Sequence, residues 1–210
     1  MTSIIILTIS FLMALFFKLA KTDNDWLTRV VRYSHYLFFS LTIIAVLLLL
    51  NSYSFKGYLT DKLFIILFMG TGMLLFGLYR QKNNLIRTYY AFFFFLPFLL
   101  LTGFIGPRLQ LVTVVFGIGL LIDGEHTRYP IDKNHSIQTS RYGVLAGNPT
   151  YSLIESKYIL FEKVTDDIVP KIGIPKSLRA TKISEDSFRL NILTSEIYNA
   201  RLDTTLSFRK

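Results

Sequence analysis

The sequence predicts an integral membrane α-helical bundle of five transmembrane helices, with four as the alternative, followed by a small β-rich C-terminal domain. Three observations carry that expectation. Long apolar runs recur through residues 1–122, and the short segments between them hold mostly positive charge. Beyond residue 122 the pattern changes to short alternating runs punctuated by Gly, Pro and Asn, which is strand spacing rather than helix spacing. The expected parts are a transmembrane bundle over 1–122 and a soluble β-rich tail over 123–210.

Charge and composition narrow the classes. The chain of 210 residues has a formal net charge of +9. Residues 1–122 carry ten Lys/Arg against three Asp/Glu, and residues 123–210 carry 13 against 11. The excess sits in the loops between apolar runs, where topology-setting charge belongs, so the basic character is no argument for nucleic acid. With no cysteine, disulfides, thiolate metal sites and cysteine nucleophiles are excluded.

Ser3–Ala20 is the first expected span, interrupted only by Lys18 at its end, where a long side chain can reach water. No Lys or Arg precedes it and no small-residue cleavage pattern follows, so a retained helix is favoured over a signal peptide. Asp23, Asn24 or Asp25 can cap a helix beginning near Trp26 and running into a second span over 33–50. Trp26, Tyr33 and Tyr36 suit an interfacial aromatic belt. His35 is expected at that interface, facing headgroups or a neighbouring helix, with a proton relay as the alternative. Asn51–Asp61 is expected to be a loop.

The third span is expected over 62–79. Gly70 and Gly77 are seven residues apart and lie near one helix face, with Gly72 displaced; small residues there let a neighbouring helix approach within the same chain. The first and third loops carry the positive charge, through Lys18, Lys21, Arg29, Arg32 and then Arg80, Lys82, Arg87. By the positive-inside rule both are cytoplasmic and the N-terminus lies outside. The fourth span is expected over 89–104, kinked at Pro97.

Leu109–Ile122 is the ambiguous stretch. Its β-branched residues and the Asp123-Gly124 turn signal suit a strand, which leaves four spans and puts the tail outside. Pro107 at a helix start suits a fifth span over 107–122, and that reading is preferred because so apolar a strand needs both faces covered. It places the tail in the cytoplasm of a cell with a bacterial-type inner (plasma) membrane. The tail itself reads as strands within 136–147, 151–163, 179–193 and 199–209, with a hairpin turn at Ser184–Ser187.

Chemical signals are sparse. Asp123, Glu125, His126, Asp132 and His135 fall within 13 residues. Imidazole and carboxylate can ligate zinc, manganese or iron, so His126, His135, Asp132 and Glu125 are metal candidates, although the spacing fits no standard motif and a solvated connector explains it better. No Asp, Glu, Lys or Arg lies mid-span, which disfavours a transporter. No phosphate-binding or nucleophile motif is present, and neither catalytic residues nor a cofactor are expected. The function expected is a non-catalytic subunit or accessory (scaffolding) protein of a larger membrane assembly, with the lipid bilayer and other membrane subunits as partners and the tail docking one of them. The alternative is a small membrane enzyme working on a lipid or lipid-linked substrate through His35, His126, Asp132 or His135, or a transport component.

Overall fold

The computed structural model describes residues 2–57, 59–80, 84–105, 125–141, 149–156, 158–169, 175–194 and 201–208. The chain forms two compact units. One comprises Met1–Leu47 and Leu59–Asp123; the other comprises Leu48–Tyr58 and Gly124–Lys210. The second unit therefore takes in the loop that the sequence reading left inside the membrane half.

The helical unit contains α1 (Thr2–Leu19), α2 (Asp25–Leu50), α3 (Thr60–Leu78) and α4 (Asn84–Ile105). Among the described residues, α1, α2 and α3 are each long and apolar enough to cross a membrane. Asn24 starts α2: its side-chain oxygen accepts the Leu27 N–H at 3.0 Å, satisfying a donor that the first turn would otherwise leave unpaired. The same helix that was expected to enter the membrane at residue 33 is thus continuous from Asp25.

Helices α1 and α3 meet through small residues. A Cβ on Gly70 would lie 2.6 Å from the Ser10 hydroxyl, and one on Gly77 would run into the Ala14 backbone. Two glycines seven apart on α3 are what let α1 come this close. Gly72 faces elsewhere, toward the Phe93 ring of α4. Large rings fill the remaining space, with Phe11 and Phe76 each stacked on Phe94 at 4.8 and 4.6 Å. Pro97 lies inside α4. Many apolar side chains of α1, α2 and α4 point outward, Leu12, Phe16, Leu47 and Phe92 among them.

Among the described residues, the β unit holds eight strands in two antiparallel sheets. The first has the order β1-β5-β4-β3-β2, from Tyr53–Phe55, Phe161–Thr165, Thr150–Glu155, His135–Arg141 and Glu125–Pro130. The second has the order β6-β7-β8, from Pro175–Lys182, Ser187–Thr194 and Arg201–Ser207. One core joins them: Ile137, Tyr151 and Leu153 from the first sheet pack with Leu178, Phe188, Leu190 and Ile192 from the second. The β7 burial pattern alternates strictly, as a strand with one face on a core must. The β6–β7 turn falls where its sequence signal lies, with the N–H groups of Ile183 and Ser184 both donating to the Ser187 carbonyl.

Strand β1 corrects the reading of Asn51–Asp61 as a loop. Ser52, at φ 61°, turns the chain into it and Gly57, at φ 108°, turns the chain out; glycine reaches that conformation without a Cβ clash. Tyr53, Ser54 and Phe55 pair with Lys163, Glu162 and Phe161 of β5. The expected helix over 107–122, its strand alternative from Leu109 and the Asp123-Gly124 turn lie outside the described residues.

Candidate functional site

The polar cluster just beyond the apolar run divides along the β2–β3 hairpin. Asp132 sits in its turn and accepts the Asn134 and His135 N–H groups, each at 2.8 Å, through one carboxylate oxygen. The His135 ring nitrogen Nδ1 lies 2.9 Å from the same oxygen, and Lys182 Nζ is 3.3 Å from the other. Desolvation would raise the Asp132 pKa, but the Asn134 and His135 N–H donors, the His135 ring and Lys182 outweigh it and hold the carboxyl at about 2. One face of the His135 ring is engaged as well, stacked on Phe208 at 4.2 Å.

His126 lies toward the opposite end of the same hairpin, paired with Ser140 across the strands, with its Nδ1 2.9 Å from the Ser140 hydroxyl. Glu125 begins β2, opposite Arg141, and Asp123 lies outside the described residues. The structure thus brings Asp132 and His135 together and leaves His126 apart. Among the described residues, no three His, Asp or Glu side chains converge as a metal site would require.

A polar network missed by sequence reasoning crosses the five-stranded sheet. Arg128 on β2 donates to Gln138 at 2.8 Å and to both oxygens of Glu162 on β5, at 3.0 and 2.5 Å. Glu162 is 1% exposed, so Arg128 is what makes an ionised carboxylate tolerable there. Nearby, Ser152 donates to Asp166 at 2.6 Å. Sequence separation hides this group, since Arg128 and Glu162 are 34 positions apart.

In the helical unit His35 takes the neighbouring-helix placement of the two expected for it. It is fully buried, not facing headgroups. Its Nδ1 lies 3.1 Å from the Thr71 hydroxyl and its Nε2 lies 2.9 Å from the Tyr89 hydroxyl. The Thr71 hydroxyl is also placed to donate to the Leu67 carbonyl at 2.8 Å. With its one proton committed there, Thr71 accepts from Nδ1–H, and Tyr89 donates to Nε2. Phe68 stacks on the imidazole at 4.7 Å while Tyr90 and Phe93 present their rings edge-on. Both ring nitrogens and one ring face are therefore engaged, and the histidine ties α2 to α3 and α4.

Tyr89 also lines a cavity of about 270 Å³ with Arg32, Tyr36, Tyr79, Tyr90, Leu85 and Ile86. Two further cavities lie at this end of the helices. Lys18, Lys21, Gly77, Tyr79, Arg80 and Arg87 line one of about 400 Å³. Asp23, Asp25, Arg29, Arg32 and Arg80 contribute to another of about 280 Å³. Arg80 is common to both. Among the described residues, these openings gather Lys18, Lys21, Asp23, Asp25, Arg29, Arg32, Arg80 and Arg87.

No family model matches the chain, and no match was found among curated proteins or solved structures. The class is therefore set by the architecture: a helical unit with three helices fit to cross a membrane, and a β-rich unit assembled from the tail and one interhelical loop.

Proposed function

We propose that the chain is a membrane-embedded, non-catalytic accessory subunit that displays its β domain on the non-cytoplasmic side. The observation that carries the reading is the pairing of β1 with β5. Strand β1 lies between α2 and α3, so a sheet that contains both strands needs loop two and the tail on one side of the bilayer. Helices α3 and α4 supply two crossings between β1 and the tail. A fifth crossing over 107–122 would carry β5 to the wrong side, which favours the four-span reading over the five-span one. Loops one and three hold the positive charge and face the cytoplasm; loop two and the tail then face away from it.

The non-catalytic part of the reading rests on how the polar side chains are used. Asp132 and His135 close a turn, His126 bonds Ser140, Arg128 neutralises Glu162, and His35 joins three helices. The residues that an interfacial lipid enzyme would draw on are occupied in holding the two units' own architecture. The outward apolar side chains of α1, α2 and α4 suit lipid and partner helices alike.

Two experiments test this. Single cysteines replacing Lys56 and Arg179, in a chain with no cysteine of its own, should both react with a membrane-impermeant maleimide added outside intact cells, while one replacing Lys21 should not. Labelling of Lys56→Cys and Arg179→Cys from opposite sides refutes the topology. Purification in mild detergent should retain a membrane partner in fixed ratio; a stable solitary chain, with activity-dependent growth defects mapped to His35 or His135, refutes the accessory role.

A further inference from the structure

We propose that the basic cavity at the loop-one end of the helical unit is a site for a phosphate-bearing anion, held by Lys18, Arg80 and Arg87. The cavity of about 400 Å³ is built from three places in the chain: the last turn of α1, the exit from α3 and the first turns of α4. Its volume is in the range of small-ligand sites. Among the described residues, no carboxylate lines it.

Like charges share this lining. Arg80 and Arg87 act on Lys18 as like charges. Lys18 Nζ lies over the Phe76 ring, 4.9 Å from its centroid. Arg87 sits near the start of α4, which has no acidic residue in its first turn; the helix dipole disfavours a cation there and favours an anion. The two nearby carboxylates, Asp23 and Asp25, line the neighbouring cavity with Arg29, Arg32 and Arg80. Among the described residues, the lining that holds Lys18, Lys21 and Arg87 contains no acidic side chain.

A phosphate group answers all of these features, because its oxygens accept from several cations at once. A lipid headgroup and a soluble phosphate share that chemistry. The lipid source rests on the membrane reading above, because it needs this end of the helices to lie at a headgroup layer; binding of free phosphate does not.

The test uses the full chain in detergent micelles. Retention of phosphatidylglycerol and of phosphatidylcholine is measured by native mass spectrometry, and inorganic phosphate is titrated separately by thermal shift. The variants are Lys18→Gln/Arg80→Gln/Arg87→Gln, the charge-preserving Arg80→Lys/Arg87→Lys, and Arg29→Gln in the neighbouring cavity. Phosphatidylglycerol should be retained over phosphatidylcholine, and its affinity should fall about fivefold for each charge removed. The charge-preserving and Arg29 variants should keep it. A stabilising shift with phosphate but no lipid preference assigns the site to a soluble anion. Equal retention of both lipids with no phosphate shift overturns the proposal, as does a triple variant that binds like the parent. If the triple variant does not fold, Lys18→Gln alone must lower the retention, and an unchanged value refutes the site. Failure of the external labelling experiment with phosphate binding intact would remove the topology and leave the anion site standing.

Discussion

The Arg128–Glu162 pair allows a quantitative prediction for the β domain. Replacing Arg128 by Met keeps most of the side chain's length and removes its charge. Three hydrogen bonds go with it, two to Glu162 and one to Gln138. Glu162 cannot turn to water, because its side chain is 1% exposed while that of Arg128 is 30% exposed. Removing one partner of a buried pair costs about 3–5 kcal/mol, mostly the penalty of the charge left behind. At about 1.4 kcal/mol per factor of ten, protection of the β2, β3 and β5 amides should fall by roughly two to three and a half orders of magnitude. Hydrogen exchange on the full chain in micelles reads this directly. The double variant Arg128→Met/Glu162→Leu should recover most of the loss, since it removes the stranded charge. Unchanged exchange in the single variant, or a double variant less protected than the single, would refute the reasoning.

Three other outcomes follow from the geometry. The Asp132 carboxyl, held at about 2 by its N–H donors, His135 and Lys182 against the opposing effect of desolvation, contributes stability that is complete above its unfolded value near about 3.9 and is lost as pH falls through about 2; exchange at the β2–β3 turn should rise across that window in the parent and stay level in Asp132→Asn. Gly77→Ala should weaken α1–α3 association more than Gly70→Ala, because a Cβ at 77 meets the Ala14 backbone whereas one at 70 meets a serine hydroxyl; Ser10→Gly should rescue only the latter, read as thermal melting in detergent. His35→Phe removes the hydrogen bonds to Thr71 and Tyr89 and should cost about 1–3 kcal/mol for the two together, measured as a lower midpoint of thermal or denaturant-induced unfolding of the helical unit; an unchanged midpoint would show that the three-helix tie is not stabilising.

How much was legible depended on how local each signal is. The start of α2 was readable because a cap and its first turn lie within four residues, and Asn24 is one of the three cappers the sequence offered. The Gly70–Gly77 face was readable because helix periodicity alone puts both on one side of α3. The Ser184–Ser187 turn was readable for the same local reason. For His35 the sequence offered headgroups or a neighbouring helix, and helical neighbours are what the structure shows; its particular partners, Thr71 and Tyr89, were not legible because they lie 36 and 54 positions away. The cluster from Asp123 to His135 looked dense because sequence distance is short. A hairpin converts that shortness into separation, since at about 3.3 Å per residue the six-residue β2 puts His126 well away from the turn that holds Asp132 and His135.

Strand β1 shows most clearly what a one-dimensional reading omits. Three residues, Tyr53-Ser54-Phe55, look like interfacial aromatics in a polar loop, and nothing local marks them as part of a sheet. Their partners are made more than a hundred residues later, so loop closure is non-local and must wait for the tail. Until β5 arrives, the loop has unpaired N–H and C=O groups on a short edge, which water can satisfy at either face of a membrane. Once the pairing forms, Lys56 also donates its N–H to Leu160 and Val164 donates its N–H to Ser52, extending the bonded segment at both ends. A tail on the opposite side could make none of these bonds. If the helices span a membrane as proposed, the sheet constrains the topology in a way that charge counting cannot, because the positive-inside rule orients the loops but is silent on whether the apolar stretch before Asp123 crosses again.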